Sequence, residues 1–190
     1  MRSTRFVAQA GVIAALYAGL TLFALTTLSV LAWGPVQFRV SEALTVVACL
    51  TPAAVPGLWI GSVLANLWNL SNPMGWMDVV FGSLGSLLGA AWSWRFRRTV
   101  PLALAGPVLF NALIVPAYLP AMLAAAGIPP ESALPLPGVL RGTWLDFYLW
   151  GVLTVGLGQV AVVYGIGWPL LAAVKRTPLA AMLGVAGAER

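Results

Sequence analysis

Apolar residues run along this chain in long blocks, and polar residues gather in the short stretches between them. Blocks of this kind predict helices, whereas a membrane β-barrel shows alternation in segments of about ten residues. The blocks place helices over about Phe6–Ala32, Ser41–Leu50, Gly57–Trp68, Asp78–Trp94, Leu102–Ala126 and Thr143–Val174. Breaks fall at Gly34-Pro35, at Thr51 to Pro56, at Asn69 to Gly75, at Arg95 to Arg98 and at the proline-rich Gly127 to Gly138, an external loop and candidate lid. Crossing the hydrocarbon takes about 20 helical residues, so Ser41–Leu50 is too short alone. Part of the loop before it then sits at membrane depth, where irregular backbone is tolerated only if it is buried in protein or lines a cavity.

Composition agrees with the pattern. The 190 residues are 61% hydrophobic and 8% charged, with a mean hydropathy of +0.94. Soluble domains carry about 25% charged residues, so the expectation is an all-α integral membrane protein, residues 1–190 forming a single transmembrane domain of about six spans. Met1 to Arg5 followed by apolar sequence imitates a secretory leader. It is expected to stay as the first membrane helix, because the apolar run reaches about Trp33 without a convincing cleavage site.

The pI of about 10.2 and net charge of +5 do not point to nucleic acid, because the basic residues flank the apolar blocks. With an even number of spans and both termini cytoplasmic, Arg2, Arg5, Arg95, Arg97, Arg98, Lys175, Arg176 and Arg190 face inward, and Arg39 and Arg141 outward. Glu42, Asp78, Glu131 and Asp146 then lie toward the outer side. An acidic mouth with tryptophans suits a neutral or cationic aromatic ligand.

Several chemistries are excluded. The chain has no histidine and one cysteine, Cys49, so a zinc site, an internal disulfide and a Ser/His/Asp triad are all out of reach. It has no Gly-x-x-x-x-Gly-Lys-Ser/Thr loop for nucleotide hydrolysis. No metal, cofactor or enzymatic activity is expected; a carrier or binding subunit is.

Candidate functional residues are the polar ones inside apolar blocks, where ionisable groups are costly and are paired, face water or take part in function. Arg39 and Glu42 stand three apart, a spacing that lets them share a helix face and pair. Ser41 is placed to cap the short helix. Asn66 either bonds between helices or binds ligand. Asp78 either caps its helix or heads a bare face formed with Gly82, Gly85 and Gly89. Asn111 lies between Pro107 and Pro116, where it either heals the carbonyls freed by proline or offers its amide to a ligand. Asp146 and Trp150 stand one turn apart, with Gln159 further along. The first helix carries two small-residue ridges, Ala10/Ala14/Ala18 and Gly11/Ala15/Gly19, suited to close helix packing within the chain or with a partner.

The segments Gln37-Phe-Arg-Val-Ser-Glu-Ala-Leu-Thr45, Pro52 to Leu58 with Gly61 and Ala65-Asn66, and Asp78-Val-Val-Phe-Gly-Ser-Leu84 resemble the signature of the queuosine precursor transporter family. The resemblance extends from the first helix to Gly156-Leu-Gly-Gln159. It implies a six-helix substrate-binding (S) component of an energy-coupling factor importer in a bacterial cell membrane. It implies as partners a transmembrane coupling (T) subunit, docked on Ala10, Ala14 and Ala18, and two cytoplasmic ATPases. The implied ligand is queuine or a related deazaguanine. Gln37, Arg39, Glu42, Asn66, Asp78, Asn111 and Gln159 are the candidate polar contacts, with Trp59 or Trp150 stacking on the ring. Glu42 or Asp78 would take the N–H donors, and Asn111 and Gln159 would fix orientation. One departure is Gln159, where the family pattern leads one to expect glutamate; the missing charge favours a neutral ligand or a different modified base over a cationic aminomethyl precursor. Two other readings of the residues stay open: a carrier of another aromatic or vitamin-like solute, and a subunit that only packs in the membrane.

Overall fold

A computed structural model of the chain describes residues 2–27, 38–138 and 142–183. The regular structure among these residues is helical, with no strand.

Helix α1 spans Arg2–Thr27 and packs on α2, Ala54–Asn66. The contact is close because small residues meet: a Cβ added to Gly61 would lie 2.7 Å from the Ala14 carbonyl oxygen, and one added to Gly57 would lie 2.8 Å from that of Ala10. In lipid, where apolar side chains gain little by leaving the tails, such backbone approach is a principal source of helix association. The ridge Ala10/Ala14/Ala18 is therefore buried within the chain. This is the ridge the resemblance gives to the partner, and here α2 lies against it. Gly11, Ala15 and Gly19, the adjacent ridge, are exposed. Two ridges of the same period are indistinguishable until the intramolecular neighbour is known.

Residues Val40–Cys49 form a 3-10 helix, where the apolar block predicts an α-helix from Ser41. At about 2.0 Å per residue the tighter winding stretches ten residues to roughly 20 Å, still short of a bilayer core. Side chains three apart are stacked in this geometry, and the Thr45 hydroxyl donates to the Glu42 carbonyl at 2.7 Å. Ser41 does not cap the helix; its hydroxyl accepts from Thr21 of α1 at 2.7 Å.

After a loop that includes a short 3-10 turn, Leu67–Ser71, the block beginning at Asp78 opens with a π-helical turn, Asp78–Gly82, that runs into α3, Ser83–Arg95. Single π turns inside helices commonly mark functional positions. Helix α4, Val100–Ala125, continues through Pro107, Pro116 and Pro120. Pro107 leaves the Ala103 carbonyl without its helical donor, and the Ser93 hydroxyl of α3 supplies one at 2.8 Å. Helix α4 ends where Gly127 takes φ of +73°, a left-handed cap that lets the Ile128 N–H donate to the Leu123 carbonyl at 3.0 Å.

A short α5, Pro130–Ala133, lies in the proline-rich loop. Helix α6, Trp144–Val162, starts with a capping box in which Thr143 and Asp146 satisfy each other's backbone N–H groups. A π turn at Val163–Gly167 joins it to α7, Trp168–Lys175, and α8 covers Pro178–Leu183. Among the described residues, three helical stretches are long and apolar enough to cross a membrane: Thr4–Thr27, Val100–Ala125 and Trp144–Lys175. The Arg5 guanidinium and the Gln9 amide of α1 both donate to the Met182 carbonyl of α8, so the two ends of the described chain meet.

Candidate ligand-binding site

A cavity opens between α1, the residues just ahead of the 3-10 helix, the turn at Asn69, the π turn, α4 and α6. Its volume is about 60 Å³, small for a heterocyclic ligand without side-chain movement; the space is about 770 Å³ when the solvent outside its mouth is counted. Thr21, Arg39, Asp78, Asn111, Tyr118 and Gln159 supply its polar wall, and Phe38, Val115, Leu119, Met122 and Val155 much of the apolar one.

Asp78 anchors one side. Its Oδ1 accepts from the Tyr118 hydroxyl at 2.6 Å, its Oδ2 accepts from the Asn69 amide, and Arg39 lies 3.6 Å from Oδ2. The Asn66 amide holds the backbone beneath it, donating to the Asp78 carbonyl at 2.9 Å, and its Oδ1 accepts from Arg39 at 3.1 Å. The π turn makes room for this cluster. A Cβ on Gly82 would stand 2.5 Å from Asp78 Oδ1 and 2.9 Å from the Tyr118 hydroxyl oxygen. The bare face expected below Asp78 is thus filled by protein: Tyr118 meets Gly82, Asn111 meets Gly85 and Pro107 meets Gly89.

Glu42 is fully buried and does not line the cavity. Its Oε1 accepts from the Tyr17 hydroxyl of α1. Tyr17 lies 3.4 Å from Ser86, whose hydroxyl donates to Ser62 at 3.1 Å, and Ser62 accepts from Asn66 at 3.4 Å. A continuous polar chain therefore links the two carboxylates across α1, α2 and α3. The pairing of Arg39 with Glu42 suggested by their spacing does not form as an ion pair; Asp78 takes the guanidinium instead. Residues 38 and 39 precede the 3-10 helix rather than belonging to it, so the helical spacing argument does not apply.

What distinguishes the site is what it leaves open. Among the described residues, five buried side-chain polar atoms lack a hydrogen-bond partner, and four of them belong to Glu42 (Oε2), Asn111 (Oδ1 and Nδ2) and Gln159 (Oε1). Asn111 and Gln159 line the cavity, and Asn111 adjoins Glu42. Native proteins satisfy nearly all buried polar groups, and an unsatisfied one costs about 1–3 kcal/mol. Asn111 does not heal the proline-broken helix, since its amide bonds no backbone carbonyl and stands against Glu42.

The remaining candidates fall elsewhere. Gln37 lies outside the described residues. Trp59 is 41% exposed and does not line the cavity. Trp150 packs beside the core of α4 and α6 with its indole N–H, the fifth open atom, unpartnered, and it too is absent from the cavity wall. The aromatic side chains that do line it are Phe38 and Tyr118. Sequence reasoning passed over Tyr17, Thr21, Asn69 and Tyr118. Their one available signal was position: Tyr17 and Thr21 stand four apart on one face of an apolar helix, and so do Ser62 and Asn66.

Helical structure throughout the described residues, spans apolar enough for a membrane and a partly open cavity with polar groups on an apolar wall define a helical membrane protein with a candidate small-molecule site. The chain belongs to the QueT transporter family: the sequence model of that family, described as QueT transporter, matches residues 7–176. This is a family of transporters and not of enzymes. One relative is the queuosine precursor transporter of Lactococcus lactis subsp. cremoris, 35% identical over 77 residues. That match spans 40% of this chain and 42% of the relative, less than half the length of either. No solved structure matches the chain.

Proposed function

We propose that this chain is the membrane-embedded substrate-binding component of an energy-coupling factor importer, taking up queuine or a related deazaguanine. The carrying observation is a partly apolar cavity whose wall holds the Asp78 carboxylate and the Asn111 and Gln159 amides, in a chain of this family. A guanine-like base offers adjacent N–H donors and a carbonyl, the complement of a carboxylate and two amides. Phe38 and Tyr118 provide aromatic surface for its ring.

The proposed bundle has six spans with both termini cytoplasmic. The contact of Arg5 with Met182 supports an even count, because it brings the two ends of the described chain together. It sits in a bacterial cell membrane, and its partners are a T subunit and two ATPases that hydrolyse the nucleotide. With Ala10, Ala14 and Ala18 covered by α2, the exposed ridge Gly11/Ala15/Gly19 is the face of α1 open to the T subunit.

The test is binding by the detergent-purified chain of queuine, simpler deazaguanines, guanine and a set of vitamins, followed by tryptophan fluorescence and thermal stabilisation. Selective, saturable deazaguanine binding supports the reading. Selective binding of a vitamin keeps the transporter and discards the ligand, and silence throughout contradicts both.

A further inference from the structure

The cavity has a larger neighbour. Trp68, Asn69, Asn72, Met122, Leu123 and Ile128 line a second, open space of about 570 Å³ where the Asn69 turn meets the end of α4. That volume falls within the roughly 300–1,000 Å³ of small-molecule pockets, whereas the inner cavity, at about 60 Å³, has room for a few waters. Asn69 and Met122 line both spaces, so their side chains form the partition between them. The backbone that carries them is fixed. The Asn72 N–H donates to the Asn69 carbonyl at 2.9 Å, and the Asn72 side-chain amide donates to the Met122 carbonyl at 3.0 Å. Gly75 comes so close that an added Cβ would lie 1.7 Å from the Asn69 carbonyl oxygen. What is left to move is the pair of side chains: the unbranched Met122, and Asn69, whose amide donates to Asp78 Oδ2.

We infer that the outer space is a vestibular subsite for the same planar heterocycle, and that the ligand enters the inner cavity by displacing the Asn69 amide from Asp78. The inference rests on the reading of the inner cavity as a deazaguanine pocket and adds the route into it. The exchange conserves hydrogen bonds: an N–H of the base replaces an amide N–H on Asp78 Oδ2, while Tyr118 stays on Oδ1 and Arg39 stays beside the carboxylate. The released amide turns toward the vestibule, which Asn69 already lines and where solvent serves it. Trp68 gives the vestibule an aromatic wall for the ring before it crosses. Asn69 is thus the ligand's stand-in at Asp78, and Met122 is the flexible half of the partition.

The probe is 7-deazaguanine, mixed rapidly with the intact detergent-purified chain and followed by tryptophan fluorescence, with the affinity taken from a titration. Asn69→Ala removes the group that the ligand must displace, so affinity is expected to rise at least about fivefold and the association rate to rise with it. Asn69→Ser keeps a turn-forming residue but is one bond too short to hold the contact, and the same gain is expected. Met122→Phe makes the partition bulkier and stiffer. Association and dissociation are both expected to slow by at least about threefold, with affinity within about twofold of wild type. Rate constants are read only from chains that bind, so partial unfolding of a variant does not imitate these changes. Unchanged or weakened affinity in a folded Asn69 variant overturns the inference, because it makes Asn69 a packing group or a direct ligand contact. A Met122→Phe chain that changes one rate alone overturns it as well. In both cases binding by the wild type leaves the deazaguanine reading standing, whereas a folded wild type that binds nothing removes that reading and the inference with it.

Discussion

Arg39 lies 3.6 Å from Asp78, a residue from a different element, although Glu42 stands only three positions away in the chain. The consequence is a division of labour between the two acids. Asp78 balances the guanidinium and is saturated with donors, which leaves Glu42 as the acid with an unused oxygen.

Breaking the pair from one side tests this arrangement. Removing one partner of a buried ion pair costs about 3–5 kcal/mol, and the lower end applies because Arg39 is 26% exposed. Arg39→Ala is expected to lower the thermal midpoint of the purified protein strongly. The double variant Arg39→Ala with Asp78→Ala is expected to be less destabilised than the sum of the two singles, as read by a double-mutant cycle.

Tyr17 connects the fully buried Glu42 to α1 through its hydroxyl. Tyr17→Phe leaves Glu42 Oε1 without that donor, an expected loss of about 1–3 kcal/mol. Adding Glu42→Gln to Tyr17→Phe is expected to cost less than Glu42→Gln costs the wild type, and equal costs would show that the two side chains do not interact.

The two ridges of α1 make opposite predictions. Gly61→Val places a side chain 2.7 Å from the Ala14 carbonyl oxygen, so α1 and α2 separate and folded yield in detergent falls. Gly11→Leu and Gly19→Leu add side chains to open positions with nothing within 4 Å. They are expected to leave stability within about 0.5 kcal/mol of wild type while weakening co-purification with a T subunit. Unchanged co-purification would move the docking face elsewhere.

Ser93→Ala removes the hydroxyl that serves the Ala103 carbonyl freed by Pro107. A loss of about 1 kcal/mol is expected, and no effect in the added presence of Pro107→Ala, which restores the helical donor.

Much of the architecture was legible from the apolar blocks, because a helix in lipid needs a long run of apolar residues and leaves polar ones at its ends. The winding of those blocks was not. Nothing in Val40–Cys49 separates a 3-10 from an α helix, and the π turn at Asp78 depends on room that Tyr118, forty residues away, must fill. Asn66, Asp78, Asn111 and Gln159 were visible because polarity inside an apolar block is conspicuous. Tyr17 and Tyr118 were not, since a tyrosine ring passes for packing until its hydroxyl is seen to reach a carboxylate. The stacking assignments to Trp59 and Trp150 rested on residue type alone, and neither side chain lines the cavity. Which ridge of α1 is open also required the position of α2.

The most direct test of the central claim is a titration of the wild-type chain and of Asn111→Leu with queuine, each purified alone in detergent and checked for a cooperative thermal transition. The account expects saturable binding at one site per wild-type chain and a loss of at least about tenfold in Asn111→Leu, which removes an amide from the cavity wall. Equal affinity in the two proteins, or no binding by a folded wild type, would contradict it.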